Sequence, residues 1–187
     1  MLSGGRPSNY YCEAKKSTLY PSDAKLIGEI LVDAILDSGA EAIGGLEIGS
    51  IPISMAVGFA ALERQRVLPT FIIRKEAKRH GTRDRVAEAY AEDEHLLVPG
   101  RRVAIVDDVI TTGGSVAKAI EVVSDLGCRV VMVISLVERH ESDGKALRGR
   151  GFPVMRVLYT DERGQLYIDE EFVRRAEEAA EARLPSR

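Results

Sequence analysis

The stretch that most restricts what this chain can fold into runs from Val103 to Ser115. Val103, Ala104, Ile105 and Val106 show no polar alternation, so they read as a strand covered on both faces. Asp107 and Asp108 stand at its carboxyl end, where open α/β sheets hold their ligands. Val109, Ile110, Thr111, Thr112, Gly113, Gly114 and Ser115 follow, and an apolar helical pattern starts at Val116. A strand, a small polar turn and a helix N-terminus aim several backbone N–H groups at one point, which makes an anion site. Successive strand residues point to opposite sides, so the two aspartates cannot do the same job. One should face a pocket, and the other should hold the loop or a second part of the ligand. No Gly-Lys-Ser/Thr follows the glycines, which excludes the nucleotide P-loop, and the spacing is not that of the dinucleotide fingerprint.

At 187 residues the chain predicts a single domain, residues 1–187, long enough to bury a real core. The net charge of −3 gives no sign of a nucleic-acid binder or a membrane-surface protein. Cys12 and Cys128 have no metal-ligand spacing, and two cysteines without a signal peptide fit a reducing cytoplasm. The longest apolar run, Val130 to Val137, is too short to span a bilayer.

Strands and helices alternate along the chain. Pro21-Ser22-Asp23 opens a helix with Ser22 as its cap; Ile27, Ile30, Leu31, Ala34 and Ile35 form its apolar stripe and Gly39 ends it. Ala42 to Leu46 reads as a strand, and Pro52 starts a helix running to about Arg66. Thr70 to Ile73, Arg129 to Val137 and Val154 to Tyr159 read as further strands. Helices are predicted over Ala117 to Leu126, Asp143 to Arg150 and Asp169 to Ala182. The fold class is therefore α/β, a parallel sheet of about five strands with helices on both faces. Right-handed crossovers would bring the turns at Glu47, Arg74, Asp107 and Arg139 to one rim.

The segment Arg74 to Arg85 is set apart by charge. Seven of its twelve residues are Arg, Lys or His, in a chain that is acidic overall. A solvated face is the plain reading. The functional one is a glycine-hinged cover, a mobile lid loop over residues 74–98, whose cations meet a multiply phosphorylated substrate and exclude water. The acidic stretch that follows, with Glu88, Glu92, Asp93 and Glu94, has no evident role in such a lid. His95 and His140 read as structural.

The run from Val103 to Ser115, two acids followed by two apolar residues and Thr-Thr-Gly-Gly-Ser, resembles the phosphoribosyl-diphosphate (PRPP) motif of the type I phosphoribosyltransferases. Three further segments resemble the orotate phosphoribosyltransferases within that family. Ser-Gly-Gly-Arg-x-Ser-x-Tyr-Tyr, residues 3–11, is similar to the segment that touches the pyrimidine ring, normally preceded by an N-terminal helix; here the chain opens almost at the motif. Gly-Leu-Glu-Ile-Gly-Ser-x-Pro, residues 45–52, resembles the loop that cradles pyrophosphate. Arg-Lys-Glu-x-Lys-x-His-Gly, residues 74–81, resembles the catalytic loop, which in that family reaches into the neighbouring subunit.

The resemblance implies a type I phosphoribosyltransferase fold with a small base-binding N-terminal or hood region over residues 1–20. It implies transfer of a phosphoribosyl group from PRPP to orotate. PRPP would be held by Arg74, Lys75, Lys78, His80, Asp107, Asp108, Val109, Ile110, Thr111, Thr112, Gly113, Gly114 and Ser115. Orotate would be held by Tyr11, Cys12, Thr111 and Arg139, and Lys78, Asp107 and Asp108 would be the catalytic residues. Mg²⁺ is expected, carried mainly by PRPP with no direct protein ligand. A homodimer is expected, its lid loop serving the neighbouring site. A transferase for another nucleobase would keep residues 107–115 without the lid motif or the Tyr-Tyr opening. A PRPP-sensing regulator would lose lid cations or add a DNA-binding domain.

Overall fold

The computed structural model describes residues 12–76, 85–88, 90–91, 94–142 and 144–181. A short helix α1 (Lys15–Thr18) leads into α2 (Pro21–Asp37), β1 (Ala42–Leu46), α3 (Ser50–Glu63) and β2 (Thr70–Ile73). Then come β3 (Val86–Glu88), β4 (Tyr90–Ala91), β5 (Glu94–His95) and β6 (Arg102–Ile110). The chain continues through α4 (Gly114–Asp125), β7 (Arg129–Glu138), α5 (Gly144–Gly149), β8 (Val154–Thr160), β9 (Leu166–Ile168) and α6 (Glu170–Glu181).

The main sheet has seven strands in the order β3-β2-β1-β6-β7-β8-β9. Its five inner strands, from β2 to β8, are mutually parallel. β3 and β9 pair antiparallel at the two edges. The expected five-stranded parallel sheet is thus the interior of a larger mixed one. The edge strands are three residues each, too short to register as strand patterns.

Helices cover both faces. Leu31, Val32 and Ile35 of α2, Ile53 and Val57 of α3 and Phe172 of α6 pack on one side with Ile43, Ala104, Val106 and Ile134. Val116, Ala119, Ile120 and Val123 of α4 and Leu147 of α5 pack on the other with Val103, Ile105 and Val133. The alternation of Val103 and Ile105 against Ala104 and Val106 is the two-residue period of a strand buried on both sides.

Two helix expectations are corrected. α2 starts at Pro21 with Tyr20 extended before it, because proline needs no hydrogen bond in the first turn; Ser22 instead lies inside the helix with its Oγ 3.0 Å from Asp23 Oδ1. Its buried residues are Gly28, Leu31, Val32 and Ile35, whereas Ile30 is exposed. Gly28 turns the helix, since a Cβ there would lie 2.4 Å from Ala56 O of α3. The seam is a backbone contact, and apolar periodicity does not report it.

Candidate active site

From β1 the chain steps to β2 on one side and later returns to β6 on the other. The crevice outside the carboxyl ends of β1 and β6 is therefore the topological switch point of the sheet, where ligands of open α/β folds bind. Both flanking turns are those singled out from the sequence, 47–50 after β1 and 107–115 at the end of β6.

The two turns touch. A Cβ on Gly49 would lie 2.4 Å from Asp108 Oδ1 and 2.8 Å from Oδ2, so only glycine lets the first loop pass the second carboxylate. The Glu47–Ile48 peptide is cis. Glu47 N–H donates to Ile73 O, and Glu47 Oε1 accepts the Lys75 N–H at 2.8 Å, which joins this loop to the start of the cationic segment. Ser50 opens α3 and donates its hydroxyl to Leu46 O at 2.9 Å, so the helix begins two residues before Pro52.

Asp107 and Asp108 take opposite sides, as strand geometry requires. Asp107 is buried, and its Oδ1 accepts the Asp108 N–H at 3.1 Å. Burial, with the charge of Asp108, pushes the Asp107 carboxyl up to about 7, while the Lys75 charge pulls the other way. Asp108 is the more accessible: Oδ1 accepts the Val109 N–H at 2.9 Å, and Oδ2 lies 3.8 Å from Lys15 Nζ. Thr111, Thr112 and Gly113 then turn into α4. Gly113 adopts φ +73°, a left-handed conformation that glycine takes without strain, and its carbonyl accepts the Ala117 N–H at 2.8 Å. The amides of Gly114 and Ser115 stand in the first turn of a twelve-residue helix, free of intrahelical partners by position.

Arg139 follows the last residue of β7. Its N–H donates to Ile110 O at 3.0 Å, which fastens it beside the phosphate-type loop. Its side chain is buried, with Nη2 3.0 Å from Glu141 Oε1. Glu138 turns elsewhere, accepting from Ser142 Oγ (2.7 Å) and Arg148 Nη2 (2.8 Å). Burial pushes the Glu138 carboxyl up, but the hydrogen bonds of Arg148 and Ser142 and the charges of Arg148 and Arg156 outweigh it and hold it below its ordinary value. A Cβ at Gly144 would meet Glu138 Oε1, so this acid packs tightly against the start of α5.

Cys12 is half-buried between the other groups. Burial raises its thiol above the ordinary value; the Asp108 charge adds to this and the Arg139 charge opposes it. Cys12 therefore stands within electrostatic reach of both Asp108 and Arg139. The cationic segment is described at Arg74, Lys75 and Arg85: Arg74 N–H donates to Arg85 O at 2.8 Å, and Arg74 Nη1 to Val86 O at 2.8 Å. Tyr11, Lys78 and His80 lie outside the described residues.

The geometry adds Lys15 and Glu141, which the sequence reading did not place, and gives Gly49 of the 45–52 loop its neighbour. Gly49 and Lys15 meet Asp108 across 59 and 93 positions, and no local pattern announces such pairs. Glu141 sits two residues after Arg139, a spacing that could have suggested the pair. The acidic stretch gains part of an account. Glu88 is buried, accepting the Leu97 N–H at 2.7 Å and facing His95 Nδ1 at 2.7 Å. His95 therefore has a partner, and His140 Nε2 lies 3.5 Å from Glu162 Oε1.

Fold and site together define a phosphoribosyltransferase, and the family model described as "Phosphoribosyl transferase domain" matches residues 25–148. The chain is 40% identical over 161 residues to the orotate phosphoribosyltransferase of Sorangium cellulosum, covering 84% of this chain and 80% of the relative. It is 37% identical to that of Streptomyces coelicolor, covering 87% and 86%. Among solved structures, Mycobacterium tuberculosis orotate phosphoribosyltransferase in complex with Fe(III) dicitrate superposes with a TM-score of 0.72 at 31% identity, covering 88% of each chain. The same enzyme in complex with PRPP superposes at 0.69 with 29% identity, again covering 88% of each chain. The chain belongs to the orotate phosphoribosyltransferases.

Proposed function

We propose that the protein transfers the phosphoribosyl group of PRPP to orotate, giving orotidine 5′-monophosphate and pyrophosphate. The observation that carries this reading is the meeting of the Asp107–Ser115 turn with the Glu47–Ser50 loop at the switch point, with Arg139 and Cys12 on the same rim. Thr111 to Ser115 receive the 5′-phosphate on backbone amides and hydroxyls. Asp108, and behind it Asp107, accept from the ribose hydroxyls and favour the positive charge that develops on the sugar. The deprotonated ring nitrogen of orotate forms the new bond to C1 as the bond from C1 to pyrophosphate breaks. Arg139 presents a planar cation to an anionic, planar base. Lys75 and Arg74 stand at the root of the cationic segment, and Lys78 and His80 are assigned to the departing pyrophosphate by resemblance.

Magnesium fits this donor set as a companion of the substrate. Among the described residues no three His, Cys, Asp or Glu side chains cluster as a metal site. The ion would be held mainly by the oxygens of PRPP, with Asp107 and Asp108 left to accept from the ribose hydroxyls. When bound, the ion neutralises pyrophosphate charge.

The working form is a homodimer. Leu19 and Tyr20 in the turn before α2, and Met55, Phe59 and Leu62 on α3, are exposed, and a second copy would cover such side chains. No helix among the described residues is long and apolar enough to cross a membrane. Cys12 and Cys128 are not joined in a disulfide, which suits a cytoplasmic location.

The test is a spectrophotometric assay with PRPP and magnesium, offering orotate, uracil, adenine, hypoxanthine and xanthine in turn. Turnover of orotate alone supports the assignment; turnover of a purine without orotate rejects it.

A further inference from the structure

We propose that Lys15 is a PRPP-positioning residue, its ammonium fixing the outer oxygen of Asp108 where a ribose hydroxyl must find it. The proposal rests on the functional reading above and concerns the sugar end of the substrate.

Asp108 is held unequally at its two oxygens. Oδ1 is engaged from within its own loop by the Val109 N–H at 2.9 Å. The same oxygen is backed by the Gly49 backbone, which leaves no room for a Cβ. Oδ2 also lies against Gly49, where a Cβ would stand 2.8 Å from it, and its ion pair is with Lys15 Nζ at 3.8 Å. That separation is too long for a direct hydrogen bond and short enough for strong attraction. A hydroxyl can therefore donate to Oδ2 without displacing the ammonium, which remains to hold the carboxylate's rotation.

Lys15 is itself placed by the fold. It opens α1, whose Thr18 is buried against the body and whose end runs into Pro21 of α2. Its ammonium also pairs with Glu13 Oε1 at 2.8 Å, so the side chain bridges two acids instead of trailing in solvent. The surroundings explain why a cation belongs there. Asp108 and Glu13 both meet Lys15 beside the crevice that must receive a polyanion. Lys75 acts on Asp107, and Arg139 acts on Cys12. Among the described residues the ion pair on Asp108 itself is that of Lys15. Arginine could span the same gap; a neutral side chain would leave Oδ2 without its ion pair.

A group that orients Asp108 before and during the reaction alike contributes uniform binding, which raises KM when lost and leaves kcat in place. The experiment is steady-state kinetics on the full chain, varying PRPP at saturating orotate and orotate at saturating PRPP. The wild type is compared with Lys15→Met, Lys15→Arg and, as a control for lost positive charge on the same exposed helix, Lys16→Met. Lys15→Met should raise KM for PRPP about threefold to tenfold, with kcat and KM for orotate within about twofold of the wild type. Lys15→Arg should recover most of the loss, and Lys16→Met should behave as wild type. A smaller rise in KM for PRPP, an equal rise for both substrates, or the same loss in Lys16→Met would overturn the proposal. Failure of the wild type to turn over orotate would instead reject the functional reading, so the two failures are told apart.

Discussion

Gly49 and Asp108 occupy the same few ångströms: a Cβ on the first would stand 2.4 Å from a carboxylate oxygen of the second. The β1 and β6 turns can close into one site only while residue 49 has no side chain. Gly49→Ala must push either the loop or the carboxylate aside. We expect kcat/KM for PRPP to fall by about tenfold to a hundredfold, because small displacements of a positioning group are costly in rate. The thermal midpoint should change little, since the loop lies outside both apolar cores. Unchanged kinetics would show that the two turns are not pressed together in solution.

Asp107 ties the site to pH. Its carboxyl is raised from 3.8 to about 7 by burial and by Asp108. Between those values the folded protein binds the proton more tightly than the unfolded chain. Stability is therefore greatest at the acid end of that window, falls as pH rises towards 7, and is flat for this group above it. Asp107→Asn removes the term and should raise stability at pH 8 by roughly 2–4 kcal/mol. It should also flatten the profile between pH 5 and 7. Denaturant unfolding across that range checks both, and an unaltered slope would contradict the buried placement.

Glu88 anchors the stretch between β3 and β6. Its buried carboxylate accepts the Leu97 N–H and faces His95. Glu88→Ala should lower stability by about 1–3 kcal/mol, the cost of leaving a buried donor unmet. Hydrogen exchange should quicken at Leu97 before it quickens in β6. Equal protection at Leu97 in the variant would remove that role.

Arg139 is buried, with its guanidinium Nη2 3.0 Å from Glu141 Oε1. Arg139→Lys keeps the charge but loses the fork. KM for orotate should rise by about tenfold or more while KM for PRPP stays near wild type. A loss confined to PRPP would move this residue out of base recognition.

Gly28 tests the α2–α3 seam. Gly28→Val must force the helices apart where Ala56 O approaches, and should destabilise the fold by about 1–3 kcal/mol. Chemical denaturation gives the value directly; a neutral effect would mean that the seam can open without loss.

What the sequence made legible follows from the range of each signal. β1, β2, β6, β7 and β8 were readable because a strand covered on both faces leaves a run of apolar residues. The 107–115 turn was readable because acids, threonines and glycines fall together within one segment. β3 and β9 were not, being three residues long. Nor were the contacts of Gly49 and Lys15 with Asp108, which join positions that no periodicity connects. Glu88 looked like one more solvated acid, and only the fold reveals that an amide and an imidazole surround it. The buried face of α2 was misread because a glycine carries no hydrophobic signature.

The chain leaves β2 at Ile73 and returns as β3 opposite that same residue, with Ile73 in register with Val86 and Arg74 bonded to Arg85. Both feet of the basic excursion thus stand on a single strand. A tilt of β2 would carry the two feet together, and neither could stretch away from the other. Since Lys75 is also moored to Glu47, the oxygen-rich loop across the crevice and the base of that excursion are mechanically one piece.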